Sequence, residues 1–291
     1  MIRCEQLQKK YRGNHVLKNI SFQIEEPKII GLIGRNGTGK STLLRILAGH
    51  LKPTNGGAML FDRKPFNNLT VAANTIFIEE GMSFPPALTL QDICRSAKNF
   101  YPNFDGKLAI QLLEYAHILP KSYHHKLSKG QKSTFNLVYA LATRSPITLL
   151  DEPMNGMDEA IRTDMYRAIL KEYIAFPRLI LISSHHLNEI DHLIEEIILI
   201  DEGQVKMHES LEDVQQMAVR LTGQKEQIET FIKEATILFE KETGPFYEVV
   251  VTAEKFSLPE VAGIQVQPVS ASDVCKFLTS KTKGGIDDVF N

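Results

Sequence analysis

The sequence predicts an α/β protein of two unequal parts, and three observations carry that reading. From Lys28 to Gly49 the chain runs KIIGLIGRNGTGKSTLLRILAG: an apolar run (Ile29, Ile30, Leu32, Ile33), a glycine-rich loop, then apolar residues at helical spacing. Further on, the apolar runs Ile147 to Asp151 and Leu179 to Ser183 read as buried strands with a helical pattern between them. After about Ser210 the composition shifts to short strands and a charged helix. Residues 1–215 are therefore expected to form one large domain and 216–280 a small α+β domain. Residues 281–291 are expected to be a mobile, glycine-containing tail.

Composition narrows the classes. At 291 residues the chain has material for a sizeable core. A formal charge of −2 and a pI near 6.5 offer no basic footprint for nucleic acid. Cys4, Cys94 and Cys275 are too scattered for a disulfide framework or a metal site, which favours a reducing compartment. No signal peptide precedes Leu17. The longest apolar runs, such as Ile197 to Ile200, are far too short to span a bilayer, so a membrane role calls for another chain.

Taken in order, residues 1–27 read as short strands around an Arg12-Gly13-Asn14 turn, with Ile20, Phe22 and Ile24 on one face. Tyr11 is expected on a loop there. Pro53 to Ile78 reads as strand and turn (Ala58 to Phe61, Thr75 to Ile78), followed by Glu79, Glu80 and Gly81. Residues 84–126 turn helical: Thr89 with Asp92 three positions on is a capping box, and Asp105 caps a second helix carrying Leu108, Leu112 and Leu113. Phe100, Tyr101 and Phe104 between them are expected in the core. An amphipathic helix follows from Lys132 to about Thr143, and another spans Glu159 to Ala175. Ile197 to Asp201 and Gln204 to Met207 are strands around a Glu202-Gly203 turn. The small domain reads as a linking helix (Leu211 to Met217), a strand (Val219 to Leu221) and a helix (Lys225 to Ala235). A hairpin through Gly244-Pro245, a strand (Ile264 to Val269) and a helix near Ser272 to Thr279 complete it.

The chemistry sits in four places. Gly34, Gly39, Lys40 and Ser41 form G-x-x-x-x-G-K-[ST], between a strand and a helix. Glycines let the backbone turn its N–H groups onto phosphate oxygens, and the helix N-terminus favours the same anion. Lys40 would reach the β- and γ-phosphates, and the Ser41 hydroxyl would ligate Mg²⁺. Leu127-Ser128-Lys129-Gly130-Gln131 offers a second anion site at a helix start. Asp151, at the end of its strand, suits Mg²⁺ coordination, and Glu152 suits polarising a water for attack on phosphorus. A polar histidine, His185, ends the strand Leu179 to Ser183, where parallel sheets place active sites. The run HHLNEIDH also invites a zinc reading through His185 and Glu189, disfavoured because it lacks the H-E-x-x-H order.

Together these motifs resemble the ATP-binding subunit of an ATP-binding-cassette (ABC) transporter over residues 1–215. Tyr11 matches the A-loop aromatic that stacks on adenine. Gly34, Arg35, Asn36, Gly37, Thr38, Gly39, Lys40, Ser41 and Thr42 match Walker A. Leu127 to Gln131 matches the LSGGQ signature, with Lys129 in place of its first glycine. Ile147 to Asp151 matches Walker B with Glu152 as general base, Asn155 to Asp158 matches the D-loop, and His185 the switch histidine. Glu79 stands where many members carry a Q-loop glutamine that reaches Mg²⁺; it can ligate through oxygen but adds negative charge beside Asp151 and Glu152. The acidic Q-loop, the YPNFD segment and the VSASDVCKFLT ending are similar to ABC-2 type cassettes, which favours export.

The resemblance implies a P-loop cassette with an antiparallel β subdomain and a helical subdomain over about 84–126. It also implies ATP and Mg²⁺ as cofactors, and closure with a second cassette, as homodimer or heterodimer. Ser128 and Gly130 would then act in trans on the partner's γ-phosphate. A separately encoded transmembrane permease would be the other partner, with the chain cytoplasmic and peripheral on the inner face of the membrane. The alternative is a soluble ABC ATPase without a transporter. Tandem-cassette factors carry two Walker A motifs where this chain has one, and chromosome-organising relatives place a long coiled coil between Walker A and Walker B. A nucleotide sensor without hydrolysis is disfavoured because Glu152 and His185 are both present.

Overall fold

A computed structural model of the chain describes residues 1–232, 235–244, 246–253 and 263–280. Pro245 of the expected hairpin turn and the 281–291 tail lie outside the described residues. Two compact units result, one of Met1–His186 with His192–His208, the other of Leu187–Asp191 with Glu209 onward.

The first unit opens on β1 (Ile2–Tyr11) and β2 (Asn14–Ile24), far longer than the short strands expected. Register shifts between Cys4 and Leu7, Leu7 and Lys9, and Lys9 and Lys10 break the alternation in sequence without ending the pairing. Arg12 (φ 47) and Gly13 (φ 90) make the two-residue turn, both left-handed as a tight hairpin between twisted strands requires. Then come β3 (Ile29–Ile33), α1 (Lys40–Leu47), β4 (Asn55–Leu60), α2 (Leu69–Asn74) and β5 (Thr75–Ile78). The short helix α2 corrects the strand-and-turn expectation. It has six residues, too few to show a period, and owes its start to Asn68, whose side chain accepts from the Val71 amide.

The helices α3 (Leu90–Ala97) and α4 (Gly106–Tyr115) start where their caps predict. Thr89 and Asp92 form the full capping box, and Asp105 accepts from the Leu108 amide. Phe104 is buried and Tyr101 sits against Tyr139, but Phe100 is 69% exposed, against its expected place in the core. The cluster here centres instead on Phe84, Phe135, Tyr139 and the buried His124, which bonds Asn136; burial lowers the pKa of that imidazole. Helix α5 (Lys129–Thr143) begins three residues before the expected Lys132, because Ser128 caps it.

The remaining elements are β6 (Ile147–Asp151), α6 (Glu159–Ala175), β7 (Leu179–Ser184), β8 (Glu196–Asp201) and β9 (Gln204–Ser210). One nine-stranded sheet takes the order β4-β1-β2-β9-β8-β3-β7-β6-β5. At one end β4, β1 and β2 pair antiparallel; from β8 to β5 the strands run parallel. Every residue of β3, β5, β6 and β7 is buried, as strands covered on both faces must be. The parallel register aligns their C-terminal ends: Ile33 pairs with Ser184, and Asp151 with Ser183.

The second unit contains α7 (Leu211–Gln216), β10 (Ala218–Gly223), α8 (Lys225–Phe231), β11 (Ile237–Thr243), β12 (Phe246–Thr252), β13 (Gln265–Pro268) and α9 (Ala271–Leu278). Its sheet, β11-β12-β10-β13, is antiparallel, and Leu221, Ile228, Val249 and Val251 form its core. Helix α8 ends at Phe231, short of the expected Ala235.

Candidate active site

The loop after β3 returns to α1 through Gly39, at φ 108 and with the Leu17 side chain against its α-carbon. A side chain at Gly39 would meet both a backbone penalty and Leu17, so glycine is needed there. The same contact seats β2, and with it the β1–β2 hairpin, beside the loop. Arg35, Asn36 and Gly37 are exposed; Thr38 is buried and its hydroxyl donates to the Arg35 carbonyl (2.9 Å). Ser41 and Thr42 lie half-buried in the first turn of α1.

Lys40 is only 6% exposed. Its Nζ donates to the Gly34 carbonyl (2.6 Å) and lies 3.5 Å from Glu152 Oε1. Glu152 follows β6 in a left-handed conformation (φ 47), unusual for a residue with a side chain. Its Oε2 lies 2.9 Å from His185 Nδ1; a carboxylate only accepts, so the proton of that bond sits on Nδ1. Oε1 is buried and, among the described residues, without a hydrogen-bond donor. A basic oxygen lacking a donor, beside a lysine and a glycine-rich loop, is equipped to take a proton from water.

Asp151 is 9% exposed and accepts from the Ser183 hydroxyl (2.6 Å) through Oδ1. The same hydroxyl accepts from the Glu152 amide (2.9 Å). Glu79, after β5, is held by Arg45 of α1: Nε and Nη2 both lie 2.8 Å from Oε2, and that hydrogen bond raises the pKa of the guanidinium. The acidic charge expected here is thus neutralised from within the chain.

Ser128 and Gln131 form a reciprocal cap at the start of α5, each side chain bonded to the other's backbone amide. Leu127 is buried below it. Lys129 pairs with Glu80 (2.7 Å), and Gly130 lies so close to the turn after β6 that a Cβ on it would run into the Gly156 carbonyl. Ser133 adds a bond to the Asn155 carbonyl (2.7 Å). Tyr11 ends β1 rather than lying in a loop; it is 42% exposed, with Lys9 Nζ 5.2 Å from its ring centre.

Residues 17–155 match the ABC transporter family model. The ABC transporter ATP-binding protein YtrB of Bacillus subtilis is 30% identical over 253 residues, 86% of each chain. This chain belongs to the ABC transporter ATP-binding family. Cassettes of that family hydrolyse ATP, and the chain is an ATPase and a transporter's ATP-binding subunit. The aliphatic sulfonates import ATP-binding protein SsuB of Zymomonas mobilis is 30% identical over 206 residues, 70% of this chain and 83% of its own. In fold, this ABC chain is like the dimeric cassette MJ0796 in a post-hydrolysis state bound to ADP and Pi. That likeness has a TM-score of 0.62 and 23% identity, over 72% of this chain and 99% of that one.

Lys40, Glu152 and His185 are brought together, and Asp151 adjoins them through Ser183. Sequence reasoning missed Ser183 and Arg45. A serine inside an apolar strand carries no local signal, and Arg45 lies 34 residues from Glu79.

Proposed function

We propose that the chain powers a membrane ABC transporter, working as an exporter, by closing on a second cassette around ATP. The observation that carries it is the convergence of Lys40, Glu152 and His185 where β3, β6 and β7 end. Backbone amides from Gly34 to Thr42 and the Lys40 ammonium bind the phosphates, and Tyr11 stacks on adenine. Glu152 takes the proton of the attacking water, oriented by His185. Ser128 and Gly130 complete the partner's site when two cassettes close, as the dimeric MJ0796 structure encourages. ATP binding thereby favours the closed pair and hydrolysis releases it.

Mg²⁺ fits the residues present. Ser41 offers a hydroxyl and Asp151 a carboxylate, hard oxygen donors of the kind this ion takes. Bound there, it would offset phosphate charge. Glu79 would be a third oxygen ligand only on leaving Arg45, which holds it here. Among the described residues no helix is long and apolar enough to cross a membrane. In this reading a separate permease carries the pathway, and the chain docks on the membrane's inner face. Export rests on the likeness of Glu79, the YPNFD segment and the C-terminal ending to ABC-2 type cassettes. Residues 1–215 are read as the cassette and 216–280 as an accessory domain, although the compact units divide between His208 and Glu209, which places α7 with the second.

Purified protein should turn over MgATP, and co-expression with its permease should move it to the membrane fraction. Turnover without membrane recruitment by any co-expressed permease would favour the soluble alternative; no turnover would refute the site. Within the site, Tyr11→Phe should be mild, whereas Tyr11→Ala should weaken ATP binding by about 1 kcal/mol, roughly fivefold. Equal affinities of the two variants in a nucleotide titration would remove Tyr11 from the adenine site.

A further inference from the structure

Ser183 is wholly buried in β7, level with Asp151 on β6 and with Leu32 on β3. Its hydroxyl does two things at once. It donates to Asp151 Oδ1 at 2.6 Å and accepts from the Glu152 amide at 2.9 Å. Two adjacent acidic residues with different tasks are thereby tied to one atom on a neighbouring strand. The second tie matters because Glu152 holds a left-handed backbone (φ 47), a conformation that persists only where surroundings fix it. The Asn155 amide also holds the Glu152 carbonyl (3.1 Å), so the Ser183 bond fixes the other end of the same residue, where the chain leaves β6. Without the first, the Asp151 carboxylate would be free to rotate about its last bond.

We propose that Ser183 is a positioning residue for hydrolysis: one hydroxyl holds the Asp151 carboxylate and the Glu152 backbone in fixed relation, so the metal-binding and water-activating oxygens stay in register. The inference rests on the roles given above to Asp151 and Glu152. In this reading Ser183 acts on the reacting groups only through Asp151 and Glu152. It acts as the outer hydrogen-bond partner of a ligand, and loss of such partners commonly weakens metal binding tenfold or more.

The test uses the full chain loaded with ATP, with Mn²⁺ as the probe, followed by its electron paramagnetic resonance. Ser183→Ala should bind Mn²⁺ about tenfold more weakly. Its metal-free ATP affinity should stay within about twofold of wild type, and kcat should fall while the KM for ATP changes little. Ser183→Thr keeps the hydroxyl and suits a strand, so it should restore Mn²⁺ binding to within about threefold of wild type. Should the alanine protein not fold, Ser183→Cys, similar in size but a weak donor and acceptor, carries the same expectation. Asp151→Asn separates the two failures. If it weakens Mn²⁺ binding and the Ser183 variants do not, the positioning role is overturned and the metal assignment stands. If neither residue affects Mn²⁺, the assignment of Asp151 is overturned, and the inference with it.

Discussion

Glu152→Gln should lower ATP hydrolysis about 100-fold or more while ATP still binds. Glu152 Oε1 is buried, has no donor, and is the basic oxygen nearest Lys40, at 3.5 Å. An amide keeps the shape and loses the basicity, so water can enter and yet keep its proton. The substitution also removes a negative charge from beside the bound phosphates, where like charges repel. ATP should therefore trap the variant as a dimer. Phosphate release and gel filtration with ATP check the two halves. Near-normal turnover would remove Glu152 from the chemistry; slow turnover with only monomer would count against the paired cassette, at least as a homodimer.

A mixture of two inactive variants should regain activity. Lys40→Ala loses the ammonium now held between the Gly34 carbonyl and Glu152, and should abolish turnover. Ser128→Arg puts a bulky side chain at the exposed N-cap of α5, where the proposed closure would bring the partner's γ-phosphate, and should do the same. In a mixed dimer one site pairs the intact Lys40 of one chain with the intact Ser128 of the other, while the second site carries both lesions. Phosphate release against mixing ratio should peak near equal amounts, with mixed dimers verified separately. Mixed dimers that bind ATP and never hydrolyse it would show that both sites must fire together. Full activity in either single variant would refute the division of each site between chains.

Much of the fold was legible in local chemistry. Thr89 with Asp92 and Asp105 announced their helices because a cap acts within one turn, and Asp151 and Glu152 were legible as the end of an apolar run. Less legible were features fixed by distant parts of the chain. Strand order depends on crossovers, so nothing in β2 reveals β9 as its neighbour. Phe100 looks like core by type, yet the cluster filled with Phe84 and His124 instead. Ser128 was read as an anion donor, while its cap with Gln131, three residues on, went unread and the helix start was placed too late. The Arg45 partner of Glu79 and the two bonds of Ser183 join separate elements, and no spacing rule reports them.

The contact of Gly130 with Gly156 has a mechanical consequence. With no side chain between them, and with Ser133 bonded to the Asn155 carbonyl, the mouth of α5 and the turn behind Glu152 should move as one lever. In the proposed closed pair, one arm of that lever would face the chain's own nucleotide and the other its neighbour's. In a closed pair, two such levers crossed head to tail would make each site a reporter of the other's occupancy. A methyl group at Gly130 would then do more than crowd a helix start: it would prise the arms apart and leave each site deaf to the other.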